Sequence, residues 1–285
     1  MLGRISYYLK ILFLNPKILV KKAFGHILLQ VVPSPTGIAQ VNIGGHTIDT
    51  LPSRNEWWKS MYLRCCGVEI AYNIKRYLPK GGIFIDVGAG VGYFSAIASN
   101  VVGVSGQVHC FEPNPGNAGA IEKMVKNNPQ SNITLNSYAL GADECDHNYY
   151  IQRLERSSVN SMVNGLIGRV DEVINVRTRR LDTYLSEKEI SAVSLIKIDV
   201  EGYEYYVLKG LSVFFERTAC KPPIICEIVI SVYKNNDFSI EDISSYMASY
   251  GYHAYSIINP RRRVDIRLLR ENADVLFIAN NKTQI

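Results

Sequence analysis

The sequence predicts a doubly wound α/β fold: a seven-stranded sheet, mostly parallel, with an antiparallel C-terminal hairpin and a helical extension at the N-terminus. Three observations carry this. Strand and helix patterns alternate from Gly82 onward, and such alternation builds a parallel sheet with helices on both faces. One strand runs straight into a glycine-rich turn, Gly82-Ile-Phe-Ile-Asp-Val-Gly-Ala-Gly-Val-Gly-Tyr93. Four predicted strands end in an acid: Asp86, Glu112, Asp199 and Glu227.

The 285 residues divide into a basic apolar extension with a short hairpin, residues 1–50, and the main domain, residues 51–285. The net charge of +5 is concentrated at one end. Arg4, Lys10, Lys17, Lys21 and Lys22 fall within residues 1–30, which contain no acid, so the remainder is neutral overall. A neutral body removes the general argument for nucleic acid as a partner. None of the six cysteines has the paired spacing of a zinc site. Reduced thiols in a cytoplasmic protein are expected.

Residues 1–32 are apolar, but Asn15-Pro16-Lys17 and Lys21-Lys22 interrupt them. No run reaches the about 20 residues that span a bilayer. The segment reads either as a basic helix lying peripherally on an anionic membrane surface, the inner face for a cytoplasmic protein, or as a helix packed on the domain or on a second subunit of a homo-oligomer. Pro33 and Pro35 mark a linker, and Val41 to Leu51 a hairpin turning at Gly44-Gly45. Asn55 to Leu78 reads as helical, with Val68, Ile70, Ala71, Ile74 and Leu78 on one face, Glu69 beside it, and Trp57 and Trp58 first as packing residues and second as a pocket wall.

From Gly82 the predicted strands are 83–87, 107–111, 133–139, 193–198, 224–226, 252–257 and 274–279. Helices are expected at 93–102, 116–127 and 240–250, after Glu204, and from Leu181 with Asp182 as N-cap. Residues 141–190 break the rhythm, with weak strand signals at 149–151 and 173–177 and a loop-like Ser157-Ser-Val-Asn-Ser161. Such an insertion usually lines a site at the strand ends. Arg261-Arg262-Arg263 reads first as a solvated loop and second as a contact for an acidic acceptor, such as a nucleotide-sugar or a lipid-linked phosphate glycan, and His109 and His253 read as core residues.

Ligands of doubly wound sheets bind beyond the carboxyl ends of the strands, where the strand order reverses. Glycines at 88, 90 and 92 let the backbone take positive φ and approach a ligand. The helix that follows offers free N–H groups. Asp86 ahead of the loop would repel a pyrophosphate and attract a cation. A ligand bearing both an ammonium and a carboxylate satisfies both features. The spacing G-x-G-x-G is one residue shorter than the dinucleotide fingerprint. Glu112, 20 residues beyond Gly92, suits the hydroxyls of a ribose. Together these favour an aminoacyl nucleoside. So many acids leave a divalent metal open, but no His-carboxylate grouping supports one, and no metal ligand is assigned.

Asp86-Val-Gly-Ala-Gly-Val-Gly-Tyr-Phe-Ser resembles motif I of class I S-adenosylmethionine-dependent methyltransferases. Ile196-Lys-Ile-Asp-Val-Glu-Gly-Tyr-Glu-Tyr-Tyr-Val-Leu-Lys-Gly210 resembles the signature of their FkbM-type branch, supported by Phe111-Glu-Pro-Asn114, Ala139-Leu-Gly, Leu181-Asp-Thr-Tyr-Leu and Cys226-Glu-Ile. The likeness covers residues 65–230 and departs from the family at Gly90, where asparagine is usual. It implies a Rossmann-like sheet, S-adenosylmethionine as cofactor, and O-methylation of a sugar, glycan or related natural product. The expected cofactor residues are Glu69, Asp86, Gly88, Ala89, Gly90, Gly92, Tyr93, Glu112, Pro113, Asn114, Ala139, Leu140 and Asp199. Asp199, Glu201 and Glu227 are the candidate catalytic acids, with Asp199 equally suited to the cofactor's ammonium. The competing readings are an RNA methyltransferase and an inactive, membrane-associated interaction protein.

Overall fold

A computed structural model describes residues 15–152, 160–163, 170–233 and 237–280. The expectations for residues 1–14 and for Ser157 to Val159 lie outside these. Helix α1 (Pro16–Val31) opens with Pro16 at its first position and Asn15 accepting the Ile18 N–H through its side chain, the usual chemistry of a helix start. Strands β1 (Ala39–Ile43) and β2 (His46–Thr50) form the predicted hairpin. Gly44 and Gly45 both have positive φ, +58° and +94°, as a two-residue turn between right-twisted strands requires.

The helical stretch expected from Asn55 to Leu78 is two helices, α2 (Glu56–Tyr62) and α3 (Val68–Tyr77). Arg64 and Gly67 adopt left-handed φ values of 58° and 49° between them, and a single helix cannot contain such residues. Strand β3 (Ile83–Val87), α4 (Tyr93–Val102), β4 (Gln107–Phe111), α5 (Pro115–Lys126) and β5 (Ile133–Asn136) follow in the predicted order. The third predicted strand is shorter than expected. Its end, β6 (Ala139–Leu140), leaves the main sheet and joins β7 (Asp146–Ile151) and β8 (Glu172–Arg179) in a small sheet of order β6-β8-β7. The two weak strand signals are therefore one antiparallel hairpin.

Helix α6 (Leu181–Glu187) begins at Arg180, not at Asp182. Asp182 sits in the first turn, pairs with Arg180 at 2.7 Å and accepts the Val213 N–H at 3.1 Å. It ties α6 to the next layer instead of capping it. Strand β9 (Leu195–Ile198), α7 (Glu204–Lys209), α8 (Ser212–Arg217), β10 (Ile224–Ile228), α9 (Ile230–Tyr233), α10 (Ile240–Ser249), β11 (Tyr252–Ser256), a short 3₁₀ turn (Ile266–Leu268) and β12 (Ala273–Ala279) complete the chain. The main sheet has the order β11-β12-β10-β9-β3-β4-β5. Only β12 runs antiparallel, to both β10 and β11.

The period of two along each strand divides the core. Ile85, Val87, Ile196, Ile198 and Cys226 pack on one face with residues of α6 to α10. Phe84, Val108, Cys110, Leu195 and Ile225 pack on the other with residues of α3 to α5 and with Val41, Ile43 and Ile48 of the first hairpin. All six cysteines are free, and His109 is buried against Tyr184. The chain winds outward in one direction from β3 to β5 and in the other from β9 onward. The carboxyl end of β3 is the switch point.

Candidate functional site

At that switch point a cavity of about 600 Å³ opens beyond β3, β4 and β9. Gly88 makes the close approach that shapes its floor. Its φ is +75°, and a Cβ there would sit 1.8 Å from the Asp199 carbonyl oxygen. The glycine loop thus lies directly on the end of β9. Gly90, at φ +57°, has nothing within 4 Å of where its Cβ would be, so the loop is bare on its cavity side.

Glu112 closes β4. It is 3% exposed, and its two oxygens accept the N–H groups of Gly90 at 2.7 Å and Asn114 at 2.9 Å. Burial pushes its carboxyl up to about 7, with the Asn114 and Gly90 bonds pulling it back. Gly88, Gly90, Glu112, Pro113 and Asn114 line the cavity, as do Ala139, Leu140 and Asp199. An acid lies at the β4 end and another at the β9 end, with uncovered backbone between them. That donor set fits S-adenosylmethionine: Glu112 for the ribose hydroxyls and Asp199 for the ammonium.

Asp86, Glu69, Ala89, Gly92 and Tyr93 do not line the cavity. Asp86 is fully buried beneath the loop, where Oδ2 accepts the Ser95 hydroxyl at 2.6 Å and Oδ1 lies 3.5 Å from Lys197 Nζ. Burial raises its pKa, and Lys197 only partly offsets this. Glu69 pairs with Lys22 at 2.5 Å, linking α3 to α1. Gly92 begins α4 against the side chain of Met124, and Tyr93 is 4% exposed behind it.

Lys197 is the residue that sequence reasoning missed. It is 2% exposed, in the middle of β9, and lies opposite Asp86 in the β3–β9 register. Its ammonium is 3.1 Å from Asp199 and also contacts the Gly88 carbonyl at 3.5 Å. Burial lowers its pKa, but Asp199 and then Asp86 overcome this and hold it above the ordinary lysine range. One cation therefore ties together the acid under the loop, the loop itself and the acid at the cavity. The available signal was a lysine flanked by isoleucines two residues before Asp199.

Asp199, Glu201 and Glu227 bring carboxylate oxygens within 4.8 Å of one another. Glu201 has φ +52° in the turn that Gly202 completes at +98°. The fully buried Ser161 pins this turn by donating its hydroxyl to the Glu201 carbonyl at 2.6 Å. A non-glycine residue held in that region marks a site where geometry overrides local preference. Burial pushes Glu201 up to about 7, and the charge of Asp199 adds to this. Glu227 does not line the cavity. Its Oε2 is buried without a hydrogen-bond partner among the described residues. Burial, then Asp199 and Glu201, push it well above the carboxylate range.

The trio is an all-oxygen set of the kind that holds a hard divalent cation. In the sequence the many acids leave a metal open, and no ligand is assigned because no His-carboxylate grouping is seen. The start of β7 and the turn before it supply one: His147 Nε2 lies 3.3 Å from Asp143 and 3.0 Å from the Cys145 sulfur. Trp57 and Trp58, expected first to pack and second to wall a pocket, line the cavity with Tyr149 and Tyr203.

A family model described as the methyltransferase FkbM domain matches residues 86–254. No curated protein matches the chain. Among solved structures, the chain is similar to a SAM-dependent O-methyltransferase from Thermotoga maritima, at 13% identity over 88% of this chain and 80% of that one, with a TM-score of 0.42. It is also similar to fibrillarin from Aeropyrum pernix with natively bound S-adenosyl-L-methionine (11%, 88% and 86%, 0.43). An rRNA methylase from Streptococcus thermophilus is a third (11%, 73% and 93%, 0.42). With its domain match over residues 86–254 and its acid-flanked glycine loop, the chain belongs to the FkbM family of S-adenosylmethionine-dependent methyltransferases.

Proposed function

We propose that the protein methylates a hydroxyl oxygen on a sugar, glycan or related natural product. The observation that supports this most is Glu201: a carboxyl that lines the cavity next to Asp199 and is held near 7 by burial. A base with that pKa is matched to taking a proton from a weakly acidic hydroxyl at neutral pH. S-adenosylmethionine, when bound, supplies an electrophilic methyl group on a sulfonium. Glu112 and Asp199 hold it at opposite ends of the cavity, and Gly88 and Gly90 keep side chains out of its way.

The rest of the cavity suits a polyol. Trp57, Trp58 and Tyr149 offer aromatic faces, and Asn55, Gln152 and Asn160 offer amides around them. Aromatic faces cover the C–H side of a sugar ring while amides bond its hydroxyls. Catalysis of this kind rests chiefly on alignment, and Glu201 removes the proton that the attacking oxygen sheds.

Incubation of the protein with methyl-labelled cofactor and fractionated cellular material tests the reading. Label is expected in alkali-stable methyl ethers of glycans or polyol natural products. Cells lacking the gene should lose the same methyl group by mass spectrometry. Label found on nitrogen, or only in RNA, would overturn the proposal.

A further inference from the structure

We propose that the outer face of α1 docks on an anionic lipid surface. The helix has two faces that differ in what they touch. Its inner side carries the buried Ile18 and Gly25, packed against Val68 and Cys65, and Lys22 in its pair with Glu69. Its outer side carries Val20, Phe24, Ile27 and Val31, which are 65%, 61%, 54% and 68% exposed. Their spacing of four, three and four residues puts them on one stripe of a helix. Surface helices normally place polar residues there, and an apolar stripe facing water is a contact surface.

The charges around the stripe choose the occupant. Lys17 and Lys21 are exposed at its N-terminal end. Arg261, Arg262 and Arg263, also exposed, begin three residues after Ile258, which packs beside Ile18 and accepts a hydrogen bond from Asn15 at 3.4 Å. The outer face of α1 has no acid, and neither do residues 1–14 before it. A second copy of the chain fits poorly. A two-fold interface sets each patch against itself, so two faces that carry lysine and no acid would share one contact. Anionic headgroups supply the missing sign, and the apolar side chains enter the boundary beneath them. Among the described residues no helix is long and apolar enough to cross a membrane. The contact is peripheral.

The inner side of α1 also packs on the helix that edges the cavity. Lys59 of α2 donates to the carbonyl of Leu29 in α1 at 2.6 Å. Trp57 and Trp58 of that same short helix line the cavity. Docking through α1 would hold α2, and with it one wall of the cavity, within one helix of the lipid surface.

Sedimentation of the full chain with lipid vesicles tests this without requiring an acceptor or cofactor. The wild type should pellet with phosphatidylcholine vesicles containing about one-third phosphatidylglycerol, weaken as salt rises, and stay soluble with phosphatidylcholine alone. The exposed triple variant Val20→Glu, Phe24→Glu, Ile27→Glu should keep the wild-type melting temperature and cofactor affinity while losing at least about tenfold in vesicle binding. Equal pelleting of the variant, or no pelleting of the wild type on anionic vesicles, overturns the proposal. So does a wild-type dimer in light scattering that the triple variant converts to monomer, which would assign the stripe to a second copy.

Discussion

Lys197→Met is expected to lower folding stability by about 3–5 kcal/mol, the usual result of removing one partner from a buried ion pair. The methionine fills nearly the same volume, so the loss is electrostatic. Asp86 is fully buried, and its remaining protein partner is the Ser95 hydroxyl. Without the lysine its carboxylate has no compensating cation among the described residues, and it takes up a proton instead. The sign of the pH dependence follows. An acid whose folded pKa lies above its unfolded value binds more protons when folded, so stability falls as pH rises between the two. The penalty of Lys197→Met should therefore shrink toward low pH. Adding Asp86→Asn should restore part of the stability at neutral pH. Denaturant melts of the single and double variants across pH check this. A single variant as stable as the wild type at neutral pH would remove Lys197 from its role in holding the loop.

Glu201→Gln is expected to lower kcat by about 10²–10⁴, the range a positioned general base contributes. Glu201 is held near 7 chiefly by burial and secondly by Asp199. Below that pH it carries a proton and cannot accept another, so the wild-type rate should climb about tenfold per pH unit and level off above about 7. The variant should lose this limb and keep its cofactor affinity, because its amide preserves shape and the backbone turn is unchanged. Glu227→Gln should leave the limb in place, since burial and its acidic neighbours already keep Glu227 protonated at neutral pH. A limb that vanishes in Glu227→Gln and persists in Glu201→Gln would exchange the two assignments.

Much of the fold was legible because it rests on local patterns. Short, mainly apolar runs leading into an acid located β3, β4, β9 and β10. Gly44-Gly45 located the first hairpin, and Gly251, at φ +79°, stops α10 where expected. What escaped depends on contacts distant in sequence. Asp86 ends its strand next to a ligand loop, so it looked like a ligand residue. Alternation along β3 instead turns it to the side of Phe84, and the register sets it against Lys197, 111 residues away. A strand's acid can face the cavity or the core, and only the partner strand decides. The break between α2 and α3 was written in Gly67, but the apolar periodicity on either side hid it. Trp57, Trp58 and Tyr149 line one cavity from elements far apart in sequence, so each could be suspected of lining a pocket, but spacing could not show that they share one.

Calorimetric titration of S-adenosylmethionine tests the central claim most directly: that the cofactor lies in the cavity between the ends of β4 and β9, not against Asp86 or Glu69. One molecule should bind per chain. Glu112→Ala and Asp199→Asn should each weaken it by more than about tenfold, at least about 1.4 kcal/mol, in chains that still melt cooperatively. Glu69→Gln should bind as the wild type does. Wild-type affinity in both Glu112→Ala and Asp199→Asn, or a loss confined to Glu69→Gln, would contradict the account.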